Sequence, residues 1–355
     1  MNQERSAPYG RMPPRRSGHR GRWGHTFAAL DLGTNNCRLL VAKPSPEGFR
    51  VIDSFSRIVR LGQGVGASGR LAEPAIERTI GALRICAKKM QRRDVSVARC
   101  VATQACRQAA NGGEFLDRVR AETGIALDII DPAEEARLAV AGCAPLLDRS
   151  HDHALVFDIG GGSTEIMWLD MTADAPPQVA AWTSIPLGVV TMAERHGGQD
   201  VSRETYAEMM GAVTSQLAPF ESRHQLAAAM NNGRTQLLGT SGTVTTLAAL
   251  RLALPRYDRN AVDGCWLAAD DVTNVSRQLF DMSYAQRTQH PCIGRGRADL
   301  VIAGCAIFEA IFRIWPAPRV RVADRGVRDG MLVHLMEGAD KDTLADHCYV
   351  AGRSR

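Results

Sequence analysis

Two segments of the chain share one design. Leu30-Asp31-Leu32-Gly33-Thr34-Asn35-Asn36 and Phe157-Asp158-Ile159-Gly160-Gly161-Gly162-Ser163-Thr164 each read as an apolar strand, an aspartate, a small polar turn and a second strand. A glycine-rich turn after a strand lets backbone N–H groups come close to an anion, because no side chain intervenes. The hydroxyls of Thr34, Ser163 and Thr164 can add donors. A third loop, Gly239-Thr240-Ser241-Gly242-Thr243, opens a helix, and a helix N-terminus with small hydroxyl residues suits an anion. One such loop is an ordinary tight turn. Three in one chain point to phosphate chemistry.

Charged residues sit beside these turns. Asp31 and Asp158 lie at strand ends, where a carboxylate can hold Mg²⁺ or another hard cation that keeps several waters. An isolated aspartate there often only caps its own turn, so the weight comes from the repetition. Glu165, seven residues beyond Asp158, can reach the same ion from the returning strand. Arg38 directly follows the first turn, and Arg38 and Arg107 can each neutralise phosphoryl oxygens with a two-pronged guanidinium. Taken singly, either arginine could be a surface charge. Glu134 and Glu135 read, on spacing alone, as the solvated face of a helix. His151-Asp152-His153 reads as a solvated loop, not a metal site.

The elements that must position these groups alternate between strand and helix. Strands are expected at 27–32, 38–42, 49–59, 98–102, 126–130, 154–159, 165–169, 235–239 and 319–323. Ile76, Ile80, Leu83, Ala87 and Met90 recur at helical spacing behind Pro74, predicting a helix over 73–92. Further helices are expected at 113–123, 132–147, 187–196, 203–229, 242–252, 270–281, 298–314 and from 326, with a glycine-rich loop at 62–69. The matched segments begin the two halves of the chain, a duplication at domain scale. The expected fold class is α/β, with a cleft between two domains as the natural ligand site. The boundary is expected near 148–152, giving domains over 26–148 and 149–340 and a tail over 341–355.

The composition narrows the class. At 355 residues, 45% hydrophobic and 23% charged, the chain has the make-up of a globular protein with room for two domains. It has no run of about 18 apolar residues that would span a membrane. Nine scattered cysteines with no C-x-x-C pair suggest neither a zinc site nor a disulfide framework. They suit a reducing compartment, and the cytoplasm is expected. Residues 1–25 carry six arginines and one acid, so the +5 net charge resides there and the body is balanced at 37 basic and 37 acidic residues. This segment is expected to be a disordered basic arm; a sharper reading has it loosely holding a polyanion, polyphosphate or nucleic acid.

Taken together, the motifs resemble those of the exopolyphosphatase/guanosine pentaphosphate phosphohydrolase (Ppx/GppA) family. Asp31 to Val41 is similar to its first signature and Phe157 to Glu165 to its second. Thr103-Gln104-Ala105-Cys106-Arg107 resembles its Thr-x-x-x-Arg segment, and Glu134-Glu135-Ala136-Arg137-Leu138 its paired-glutamate helix. Gly239 to Thr243 and Ala323-Asp324-Arg325-Gly326-Val327-Arg328-Asp329-Gly330 are similar to later signatures. Asn36 and Cys37 depart from the commoner family residues, and the chain resembles the short, two-domain members. The resemblance implies two actin-like domains of the sugar-kinase or ribonuclease-H type, with the site between them. It implies that Glu135 orients or deprotonates an attacking water and that Asp158 and Glu165, with Asp31 nearby, hold Mg²⁺ or Mn²⁺. It implies that Arg38, Arg107 and the turns (Thr34, Asn35, Asn36, Gly160, Gly161, Gly162, Ser163, Thr164, Ser241, Gly242 and Thr243) bind phosphates. Inorganic polyphosphate is the expected substrate, with guanosine pentaphosphate the alternative. An actin/sugar-kinase-type ATPase and a non-catalytic sensor of either ligand are remoter readings. A homodimer is compatible with the sequence, and neither a membrane nor, beyond weak contacts of the arm, a nucleic-acid partner is expected.

Overall fold

The computed structural model describes residues 21–171 and 175–341. The arm expected over 1–25 lies outside the described residues up to 20, as does the tail from 342. Contrary to the expected disorder, Arg22–Gly24 form a short 3-10 turn. The Arg22 backbone N–H and guanidinium both donate to Asp340, the first at 2.9 Å.

The chain builds two sheets. The first holds β1 (Phe27–Leu32), β2 (Asn36–Ser45), β3 (Gly48–Ile58), β4 (Val97–Ala102) and β5 (Asp128–Ile129) in the order β3-β2-β1-β4-β5. The second holds β6 (His153–Ile159), β7 (Thr164–Asp170), β8 (Gln178–Ile185), β9 (Thr235–Thr240), β10 (Trp266–Ala268) and β11 (Arg319–Ala323) in the order β10-β11-β9-β6-β7-β8. Three antiparallel strands followed by parallel ones recur in both: β1 and β6 pair antiparallel with the next strand and parallel with β4 and β9. The duplication read from the two turns is thus a repeat of topology, with β10 an added edge. This is the actin-like, ribonuclease-H-type arrangement.

Two strands escape the sequence pattern. In β8 the exposure alternates along an edge strand, but the residue types do not follow it: Trp182 is exposed while Thr183 and Ser184 are half-buried, so the apolar alternation is blurred. β10 has only three residues. The helix expected over 203–229 stops at His224, because Gln225 takes a left-handed φ of 51° before Leu226–Met230 resumes.

What joins the halves is a pair of helices, Pro132–Cys143 and Val327–Asp340. One buried core draws Phe27, Ala29 and Leu40 from the first sheet and Val156, Met167 and Leu238 from the second. Ala136, Leu138 and Val140 of the earlier helix and Met331, Leu332 and Leu335 of the later one fill the space between. The helices meet backbone to backbone: a Cβ on Gly142 would stand 2.9 Å from the Gly330 nitrogen, and one on Gly330 would collide with the Leu138 carbonyl. Elsewhere, Arg60 forms a two-pronged pair with Asp299 of the other half, at 2.8 Å for each contact. No helix among the described residues is long and apolar enough to cross a membrane.

Candidate functional site

Strand register sets the charged groups side by side. Asp31 faces Arg38 across β1 and β2, and Asp158 faces Glu165 across β6 and β7. Directly opposed residues of an antiparallel pair share one face of the sheet. The repeat therefore carries an arginine in one half where the other has a glutamate.

The two glycine turns approach each other across the cleft. A Cβ on Gly161 would lie 3.1 Å from the Asn35 nitrogen, and one on Gly162 would lie 2.7 Å from the Thr34 hydroxyl. A side chain at either position would fill the gap. Thr34 Oγ1 and Asn35 Oδ1 are buried without a hydrogen-bond partner. Such orphaned polar atoms normally mark a missing ligand or water.

Glu135 enters from the helix Pro132–Cys143. Asp131 caps that helix by accepting the Glu134 N–H at 2.7 Å, and Pro132 starts it. The two glutamates then diverge: Glu134 pairs with Arg99, while Glu135 accepts from Arg107 Nη1 at 2.9 Å. Arg107 also donates to the Ile130 carbonyl at 2.6 Å and to Gln104 Oε1 at 3.0 Å. The solvated helix face read from spacing is corrected here. The Glu135 side chain is 14% exposed and borders the cleft.

These groups line one cavity of about 90 Å³ between the halves. Its wall includes Asp31, Glu135, Asp158, Glu165 and Arg38, together with Thr34, Asn35, Asn36, Gly160, Gly161, Gly162, Ser163 and Ser241. Gly242 and Thr243 line an adjoining space of about 50 Å³ shared with Asn35, Asn36 and Arg38. Ser241 holds a left-handed φ of 81°, unusual for a residue with a Cβ and typical of strain kept at functional turns. Two expected phosphate ligands sit elsewhere. Thr164 Oγ1 donates to the Leu187 carbonyl at 2.6 Å and is fully buried. Arg107 is engaged with Glu135 and is absent from the cavity wall.

Thr103, Gln104, Asp324, Arg325 and Arg328 also line the cavity, and none of them stands out by residue type or spacing alone. They belong to segments quoted for the resemblance, so the signal was present. Arg297, which lines the smaller space and donates to Thr246 Oγ1 at 3.2 Å, gave none.

The cavity concentrates negative charge. Burial pushes Asp158 up to about 6, with Arg38 opposing and Asp31 adding to the rise. Burial and then the Asp158 carboxylate push Glu165 up to about 7, although Ser184 donates to it at 2.8 Å. Burial and then Glu165 raise Glu135 well above the usual carboxylate range, against Arg107. Asp31 is raised by burial, with Arg38 and Arg328 opposing. Among the described residues no three His, Cys, Asp or Glu side chains converge to cage an ion. A hard cation that keeps its waters needs only one or two carboxylates. Neighbouring Asp158 and Glu165, with Asp31 opposite, offer such an oxygen-only set and would gain from the added positive charge.

A pH dependence follows. Asp158 rises from 3.8 to about 6 and Glu165 from 4.5 to about 7, so the folded state holds protons that the unfolded state has released. Stability is then lost as pH rises from about 4 to about 7. Each pKa unit is worth about 1.4 kcal/mol. Chelator-treated protein should melt several degrees lower at pH 8 than at pH 5, and Asp158→Asn should flatten that slope. A wild-type melting temperature that climbs over this interval would contradict the assignment.

Two sheets of one topology, facing each other across a glycine-lined cavity of arginines and acids, define an actin-like α/β protein built to handle phosphate. The sequence matches the model of the Ppx/GppA phosphatase family over residues 40–339, and the chain belongs to that family. It is 33% identical over 323 residues to exopolyphosphatase 2 of Mycobacterium tuberculosis, covering 87% of this chain and 98% of the relative. The crystal structure of an exopolyphosphatase-like protein is 30% identical, with a TM-score of 0.80 over 90% of this chain and 100% of that one. A Ppx/GppA family member from Aquifex aeolicus is 29% identical, with a TM-score of 0.72 over 90% and 99%. The protein is an exopolyphosphatase-family hydrolase.

Proposed function

We propose that this protein releases terminal phosphate from inorganic polyphosphate, using Mg²⁺ or Mn²⁺ and a water activated by Glu135. One observation carries the reading: Glu135, Asp158 and Glu165 share a single cavity with the two opposed glycine turns. The name of the 33%-identical relative, exopolyphosphatase 2, favours the polymer as substrate.

The parts have separate tasks. Backbone N–H groups of Gly161 and Gly162 and the orphaned Thr34 hydroxyl hold oxygens of the terminal phosphoryl group, and Arg38 offsets its charge. Glu135 takes a proton from the water, whose oxygen attacks phosphorus opposite the bridging oxygen. The P–O bond to the chain breaks, giving orthophosphate and a chain one unit shorter. Such a transfer depends on positioning and charge neutralisation rather than on covalent catalysis. Asp158, Glu165 and Asp31 would hold the cation, which supplies Lewis acidity at the phosphoryl oxygens and positive charge that brings the raised carboxyls back toward ionisation. Arg107 fixes the Glu135 carboxylate from behind.

The test compares phosphate release from long-chain polyphosphate and from guanosine pentaphosphate by chelator-stripped protein with and without added Mg²⁺ or Mn²⁺. Expected are no turnover without metal, recovery on its return, and a kcat/KM for the polymer at least tenfold higher. A preference for the nucleotide would replace the substrate. Full activity in chelator would remove the cation.

A further inference from the structure

The Ala323–Gly330 segment carries an arginine to which no role has been given. Arg328 is the second residue of the helix Val327–Asp340, on the cavity wall beside that helix's N-terminus. Among the described residues its guanidinium makes no hydrogen bond or ion pair. A half-buried guanidinium with five donors and no acceptor is unusual. Burial and the neighbouring Arg38 work against its charge, and three acids, Asp329, Asp31 and Asp324, lie close enough to offset part of that.

Two of those three are held by something else. Tyr257 Oη donates to Asp324 Oδ2 at 2.8 Å. Arg259 Nη2 donates to the Asp324 carbonyl at 2.7 Å and to Asp329 Oδ1 at 3.3 Å. The other oxygen of Asp329 accepts the Gly326 N–H at 3.2 Å, closing the first turn of the helix. Asp263 completes the buttress by accepting the Asp324 N–H at 3.0 Å and Arg325 Nε at 2.7 Å. Tyr257, Arg259 and Asp263 thus grip the segment from behind, and none of the three lines the cavity.

We propose that Arg328 is a further phosphate-binding cation of the cavity, and that Arg259 is a positioning residue that keeps it free by occupying Asp329. Without Arg259 the Asp329 charge is no longer offset, and its attraction draws the Arg328 guanidinium away from the cavity. The anionic end of a polyphosphate then loses a two-pronged partner. The proposal rests on the phosphate-binding part of the function given above and extends it to residues outside the glycine turns.

The experiment measures tripolyphosphate binding by calorimetry with Mg²⁺ in a Glu135→Gln background, so that no turnover is needed. Arg328→Gln should weaken binding at least tenfold with little change in melting temperature, and Arg328→Lys should fall between. Arg259→Gln should weaken it several-fold. Adding Asp329→Asn, which keeps the acceptor for Gly326 but removes the competing charge, should restore most of that loss. A residue that merely braced the fold would show no such rescue. In the active enzyme, Arg259→Gln should raise KM for polyphosphate with kcat changed less than threefold. Wild-type affinity in Arg328→Gln or, if that variant does not fold, in Arg328→Lys overturns the role of Arg328; failure of the Asp329→Asn rescue overturns that of Arg259. If polyphosphate is not hydrolysed and Arg328→Gln still loses tripolyphosphate, the substrate assignment fails while this inference stands.

Discussion

Glu135→Gln should lower kcat for polyphosphate by roughly a hundred- to ten-thousand-fold, the usual contribution of a positioned general base. Tripolyphosphate affinity should hold or rise slightly, because a carboxylate leaves a site built for anions. Glutamine keeps the size and the acceptor for Arg107 Nη1, which bonds Glu135 at 2.9 Å, so the fold loses little. Glu134→Gln is the matched control. Its side chain meets Arg99 and not the cavity, and turnover should stay near wild type. The measurement is single-turnover phosphate release together with calorimetry on both variants. Equal rates for Glu135→Gln and wild type would take Glu135 out of the reaction.

The second large effect is structural. Gly330→Val should destabilise the protein by more than about 3 kcal/mol, read from the urea midpoint, because overpacking against an unyielding neighbour exceeds the usual cost of an extra methylene. The obstacle is the Leu138 backbone of the adjoining helix, which cannot swing aside as a side chain can. Gly142→Val should behave alike, since its Cβ would meet the Gly326 carbonyl. Gly113→Ala serves as the contrast. It lies in the helix Gly112–Thr123 with nothing within 4 Å of an added Cβ, and it should gain about 0.4–1 kcal/mol from reduced freedom of the unfolded chain. A Gly330→Val protein of unchanged midpoint would show that the helices can separate without cost.

What was legible in the sequence was local. Asp31, Asp158 and the glycine turns announced themselves because strand, acid and turn occupy adjacent positions, and Glu165 followed from the length of the returning strand. Arg107 was legible as a functional cation but not in its task, since only the folded chain shows Ile130, Gln104 and Glu135 around it. Glu135 itself was silent: one helical turn looks the same from sequence whether it borders solvent or a cleft. Arg297 and Arg259 were invisible for the same reason, each being one arginine among many until distant segments meet. The edge strand β8 escapes the sequence because its bulkiest apolar residue, Trp182, lies on the exposed face while Thr183 faces inward, which blurs the alternation.

The placement of Val327–Asp340 bears on how the protein is made. During synthesis the first sheet emerges early, yet the layer that covers Phe27 and Leu40 includes residues from the last described helix. Until the helix Val327–Asp340 has left the ribosome, that face stays open to water and to other chains. The earlier half must therefore wait, partly assembled, for a helix distant in the chain, and long-range closure of this kind is slow and exposed to aggregation.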